Sequence, residues 1–153
     1  MIRATFVLDT RILGIAGDPD DSGYGAAWEC LNLILERHAI LCARGVAWEE
    51  YSRRAAESRK VHDWISPMVS RAGKILWRDA ALKSHHKSAL LARKFHNDDL
   101  PFVALAASLP EGQRLLVTED EDFFQAEVAA YLRDDLRIRL LRLAEALTLA
   151  EDP

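Results

Sequence analysis

Leu115–Phe124 reads Leu-Leu-Val-Thr-Glu-Asp-Glu-Asp-Phe-Phe. Three apolar residues with strand character run straight into the acids Glu119 to Asp122, Glu and Asp in alternation. Carboxylates crowded in this way repel and raise one another's pKa unless a cation neutralises them. The amino end of the chain repeats the pattern, with Phe6-Val7-Leu8 ending in Asp9-Thr10. Ligand sites in open parallel α/β sheets form at the carboxyl ends of the strands. Two strands that deliver acids to that edge therefore point to a metal-binding cleft.

The chain has 153 residues, half of them apolar. That is the size of one domain with a sizeable core, and we expect a single domain over 1–153. The frequent interruption of the apolar pattern suits a soluble globular protein. No apolar run approaches the roughly 18–20 residues of a membrane span, and the first residues are too weakly apolar for a signal peptide. The cytoplasm is the default expectation. Cys30 and Cys42 have apolar neighbours and no metal-ligand spacing, so they read as reduced packing residues.

The formal charge of −4 argues against a generic nucleic-acid binder, but the charge is unevenly spread. Between Arg53 and His96 eleven Lys/Arg face three acids, a net +8, which leaves −12 for the rest of the chain. A basic middle between acidic flanks is the kind of asymmetry that marks a contact surface for phosphates. Solvated outer helix faces would have the same composition.

Outward from the quoted stretch, strands and helices alternate. Arg3–Leu8, Ala39–Cys42, Leu115–Val117 and Arg137–Leu143 read as strands. Gly25–His38, Gly45–Glu57, His62–Lys74, Lys83–Phe95, Leu100–Leu109, Gln125–Leu132 and Ala144–Glu151 read as helices. Ile75–Trp77 fits either a strand or a helix end, and Pro67 either kinks its helix or marks its first turn. The alternation predicts a parallel α/β sheet.

Hard divalent cations such as Mg²⁺ take carboxylate and water oxygens. A site for one needs several carboxylates brought together from separate elements. Asp9, Glu50, Asp99 and Asp120 are the candidates, with Asp122 in support. Each has an ordinary alternative. Asp98 or Asp99 would serve as the N-cap of the helix that begins Leu-Pro-Phe. Glu49 and Glu50 precede Arg53 and Arg54 by four residues, the spacing of exposed helix ion pairs. Glu119–Asp122 would make a solvated turn. Asp9 has no evident structural duty. His85-His86 reads as a surface pair, since no Cys or His partner lies at zinc spacing.

Val7-Leu8-Asp9-Thr10, Glu50-Tyr51, Asp99-Leu-Pro-Phe-Val-Ala-Leu-Ala106 and Val117-Thr118-Glu119-Asp120-Glu121-Asp122-Phe123 resemble, in order, the acidic motifs of PIN-domain nucleases, VapC-like toxin ribonucleases among them. The resemblance spans nearly the whole chain, and its last two motifs are the most specific. It implies a three-layer α/β/α fold with a central parallel sheet and an acidic pocket for Mg²⁺ or Mn²⁺. It also implies hydrolysis of RNA, an antitoxin partner for many members, and homodimers. By the same resemblance Asp9, Asp99 and Asp120 hold the metal and Glu50 completes the pocket. Thr10 and Thr118 orient carboxylates or water, and Asp122 lies nearby.

One residue departs from the pattern. Arg11 stands where family members often carry Asn or a small side chain, and a cation there either competes with the metal or reaches a substrate phosphate. Arg11, Arg53, Arg54 and Lys94 are the expected RNA contacts. The leading expectation is a ribonuclease that cleaves a phosphodiester with metal-activated water. The rival is a non-catalytic RNA-binding or scaffold module in which Arg11 has replaced the metal. A phosphatase of the haloacid-dehalogenase type would need an Asp at position 11.

Overall fold

A computed structural model describes residues 3–152 of the chain; the first two residues and the last of the expected domain lie outside them. Five strands form one parallel sheet: β1 (Thr5–Leu8), β2 (Ala39–Cys42), β3 (Ile75–Trp77), β4 (Leu115–Val117) and β5 (Arg139–Leu141). Their order across the sheet is β3-β2-β1-β4-β5. Phe6 pairs with Ile40 on one side of β1 and with Leu115 on the other; Leu8 pairs with Val117. Past Thr5, β1 and β2 are apolar because both of their faces are covered, and Phe6, Val7, Leu8, Leu41 and Cys42 are wholly buried. The edge strands are three residues long and carry exposed side chains, Leu76 on β3 and Arg139 on β5. Short edges of this kind discourage pairing with other chains.

The helices are α1 (Thr10–Ala16), α2 (Tyr24–Arg37), α3 (Val46–Glu57), α4 (Arg59–Ser70), α5 (Ser84–Ala92), α6 (Leu100–Ala107), α7 (Glu121–Phe124), α8 (Ala126–Asp134) and α9 (Leu143–Glu151). α1 to α4 and α9 pack on one another in one layer, while α6 lies across β1, β2 and β4. α6 has almost no polar face, in keeping with its burial on every side. Because the chain winds outward from β1 first towards β3 and then towards β5, β1 and β4 flank the point where the winding reverses. A crevice opens there at the carboxyl edge.

Several expectations shift at their boundaries. The helix expected from His62 begins at Arg59, because the Ser58 hydroxyl accepts a hydrogen bond from the Val61 amide at 3.3 Å and caps it. Pro67 lies inside that helix, near its end, and neither begins nor breaks it. Ile75–Trp77 is a strand. Thr10–Ala16 is a helix that was not among the expected elements. Glu121–Phe124 is a single helical turn in place of a solvated loop. Cys30 and Cys42 are free and buried, as expected, and burial pushes both thiols up to about 12.

Candidate metal centre

The acids reach the crevice from four segments: Asp9 after β1, Glu50 on α3, Asp99 before α6, and Asp120 with Asp122 after β4. Asp9 follows β1, and its backbone amide continues the sheet by donating to the Val117 carbonyl at 2.9 Å. Its side chain is almost wholly buried and does not cap α1. Oδ2 instead accepts the Thr118 hydroxyl at 2.7 Å, which joins the ends of β1 and β4. Burial raises the Asp9 pKa most and Asp120 raises it further. The Thr118 hydroxyl, the nearby Arg11 amide and the Arg11 charge oppose them. The Thr118 Oγ1 also accepts the Asp120 amide at 3.0 Å, so one hydroxyl ties Asp9 to Asp120.

The four acids after β4 divide by parity. Glu119 Oε1 accepts the Leu143 amide at 2.8 Å, and Arg142 bridges Glu119 and Glu121, with Nη1 at 3.3 and 3.0 Å from their oxygens. Glu119 and Glu121 thus fasten the end of β4 to the start of α9. Asp120 and Asp122 point the other way, and Asp120 Oδ1 accepts the Asp122 amide at 3.0 Å, which starts α7. Arg142 is a residue the sequence reading missed, since nothing links it to this stretch until the chain folds.

Asp99 closes the group. It stands at the N-cap position of α6 but makes no capping hydrogen bond. The capping duty falls to His96, whose ring accepts the Asp98 amide at 3.2 Å at the start of the 3-10 turn Asn97–Asp99. Asp99, Asp120 and Asp122 each offer a carboxylate oxygen, and these three oxygens lie within 4.8 Å of one another. Burial, with the charges of Asp9 and Asp120, pushes Asp99 up to about 7. Asp122, read from sequence as support, belongs to this set; Asp9 borders it and is coupled to Asp99 and Asp120 through charge.

Glu50 comes from α3. The ion pairs with Arg53 and Arg54 suggested by the spacing do not form among the described residues: Arg54 faces Glu57 at 3.5 Å. Glu50 Oε2 is buried without a hydrogen-bond partner in the protein, as is the Thr10 hydroxyl. Burial raises the Glu50 pKa, and Asp9 adds to the rise. The neighbouring Tyr51 is wholly buried, stacks on Phe102 at 6.2 Å and donates its hydroxyl proton to the Leu8 carbonyl.

The donor set is all oxygen, comes from three or four elements, and carries repulsion that a positive ion would relieve. These residues fit a hard divalent cation. Asp99, Asp120 and Asp122 would hold it, with Asp9 and Glu50 around it. Arg11 supplies part of that charge already, with Nε 3.4 Å from Asp120 Oδ2.

One chain of the crystal structure of VapBC2 from Rickettsia felis bound to a DNA fragment from their promoter is similar to this chain. The match covers 90% of this chain and 98% of that one, with a TM-score of 0.55 and 16% sequence identity. The fold is PIN-like. No protein-family model matches the chain, and no curated protein matches it by sequence. A likeness at this identity rests on the backbone, and what the two chains share is the fold.

The expected RNA contacts sit in varied surroundings within this PIN-like fold. Arg53 and Lys94 are exposed, Lys94 with a left-handed backbone (φ 62°) just beyond α5. Arg54 is partly covered, its guanidinium packed over Gly14 of α1. Several other cations of the basic segment have structural partners: Lys74 donates to the His38 carbonyl, Arg78 to Ser108 and Arg93 to Ala89. His86 Nδ1 lies 2.6 Å from the Tyr131 hydroxyl. No helix among the described residues is long and apolar enough to cross a membrane.

Proposed function

We propose that this protein is a Mg²⁺- or Mn²⁺-dependent endoribonuclease. The observation that carries the reading is the meeting of Asp99, Asp120 and Asp122 at the sheet's reversal point, beside Asp9 and a Glu50 oxygen that has no partner in the protein. A bound divalent ion would polarise a phosphoryl oxygen and lower the pKa of a coordinated water. The chain's own groups account for the rest. Glu50 Oε2 accepts a hydrogen bond from the attacking water and orients it. As the water oxygen bonds to phosphorus and the bond to the leaving ribose oxygen breaks, the attacking water's proton passes to Glu50, and the leaving oxygen takes a proton from solvent water to become a hydroxyl. Thr118 holds Asp9 and Asp120 in register throughout.

The likeness to a chain of VapBC2 supports a place in a toxin–antitoxin pair. The partner would be a small protein that covers the acidic crevice, and the chain itself would form a homodimer. Cleavage of mixed RNA with Mg²⁺, with Mn²⁺ and with EDTA, beside Asp99→Asn and Asp120→Asn, tests the proposal. Ion-dependent cleavage lost in both variants supports it. RNA binding without turnover, unchanged by either substitution, replaces it with the scaffold reading that the Arg11–Asp120 pair favours.

A further inference from the structure

Arg11 lies in the first turn of α1, two residues beyond Asp9, and its side chain is 60% exposed. Among the described residues Asp120 is its one ion-pair partner, met through Nε at 3.4 Å. The guanidinium has five donors in a planar fork, so a single contact through Nε leaves the terminal nitrogens for something else. The pair joins an exposed guanidinium to a buried carboxylate, so the Arg11 end is free to leave into solvent. Asp120 is, besides, already fixed by two other hydrogen bonds: its amide donates to Thr118, and its Oδ1 accepts from Asp122. Oδ1 already accepts the Asp122 amide, and Oδ2, which accepts no hydrogen bond among the described residues, is the atom that Arg11 faces.

We propose that Arg11 has two working positions: on Asp120 Oδ2 while no divalent ion is bound, and turned outward, its terminal nitrogens on a phosphate next to the scissile bond, once Oδ2 is engaged by the ion. The inference rests on the nuclease reading and adds a residue and an order of events to it. In the first position the positive charge of Arg11 lessens the repulsion among the carboxylates. In the second it offers a backbone phosphate two parallel N–H donors, the geometry in which Arg binds phosphate most strongly. One residue then couples ion loading to substrate capture, and the acidic mouth of the pocket presents a free cation to RNA when an ion is in place.

Arg11→Ala and Arg11→Lys in the full chain test this in two arms. The first is calorimetric titration with Mn²⁺ in the absence of RNA. Removal of the competing charge makes Arg11→Ala bind Mn²⁺ about 5-fold more tightly, while Arg11→Lys stays close to wild type. The second is steady-state cleavage of single-stranded RNA at saturating Mn²⁺ across a salt series. Arg11→Ala raises KM about 10-fold and flattens the salt dependence by the share of one phosphate, a slope change of about 0.7; Arg11→Lys falls between. Tighter ion binding beside weaker substrate binding is a pair of opposite effects that a structural role would not produce. Mn²⁺ affinity that is unchanged or weaker in Arg11→Ala overturns the proposal, as does an unchanged KM and salt slope. If the wild type cleaves no RNA, the nuclease reading fails separately. The second arm is then read as binding of the same RNA in Mn²⁺, by the same criterion.

Discussion

At the amino end of the sheet His38 is buried, and both of its ring nitrogens have partners: Nδ1 accepts the Ala4 amide at 3.1 Å, and Nε2 meets the Ala150 carbonyl at 2.9 Å. At the carboxyl end Glu50 Oε2 is buried with no partner in the protein, and Asp99 is pushed up to about 7 by burial and its neighbours' charges. The same five strands frame both. A buried polar group that serves stability is satisfied within the chain, because an unmet one costs about 1–3 kcal/mol. A group kept for a ligand is left unmet, and that cost is borne until the ligand arrives. The two ends should therefore respond to substitution in opposite ways.

The largest expected effect is at the carboxyl end. Asp120→Asn lowers cleavage by about 100- to 1,000-fold, the share of several kcal/mol of charge stabilisation. Its melting temperature in EDTA does not fall. A loss of activity that tracks a loss of fold would erase the contrast between the ends. His38→Ala is the counterpart. It removes two buried hydrogen bonds and leaves the Ala4 amide and Ala150 carbonyl unmet, at about 2–4 kcal/mol, so Tm falls by roughly 5–12 °C. Mn²⁺ affinity measured below that Tm is unchanged.

Asp99 sharpens the comparison through pH. Its pKa in the fold, about 7, stands above its ordinary 3.8, so folding takes up a proton between those values. The ion-free protein is therefore most stable below about pH 4 as far as Asp99 is concerned, and it loses that stability as pH rises to 7 and beyond. Asp99→Asn lifts the melting temperature in EDTA at pH 8 by about 3 °C once solvent screening is allowed for, and by nothing at pH 4. Ion affinity moves the opposite way, weakening up to about tenfold per pH unit below 7 as the proton competes. The smallest effect belongs to Glu121→Gln, which removes the charge and one of two exposed hydrogen bonds to Arg142. It shifts stability by no more than about 0.5 kcal/mol and leaves cleavage unchanged, which a standard melting curve and rate assay will show.

The contrast also explains what could be read from the sequence. The strands that end in acids were legible because a continuous apolar run followed by carboxylates has few structural uses, and the expected order of elements holds through β1, β2, β4 and β5. The division of labour within Glu119–Asp122 was not legible. It depends on Arg142, 23 residues from Glu119, and on the extended backbone at Asp120 that precedes the four-residue helix. For Asp99 the sequence left cap and ligand open; the capping bond comes from His96 instead, a residue seldom expected to cap. Nor could the sequence say that Lys74, Arg78 and Arg93 are tied to backbone carbonyls, which leaves fewer cations of the basic segment available to RNA. Tertiary partners decided each of these, and partners distant in sequence leave no local pattern.

The Tyr51 hydroxyl reaches the carbonyl of the residue before Asp9, its own residue follows Glu50, and its ring lies on Phe102, one turn past Asp99. A single phenol thus acts as a rivet through three elements that each present an acid. The spacing of the carboxylates is inherited from the hydrophobic interior and not negotiated at the surface. Loosening that one side chain would blur the whole constellation at once, whereas changes on the outer helices would leave it untouched.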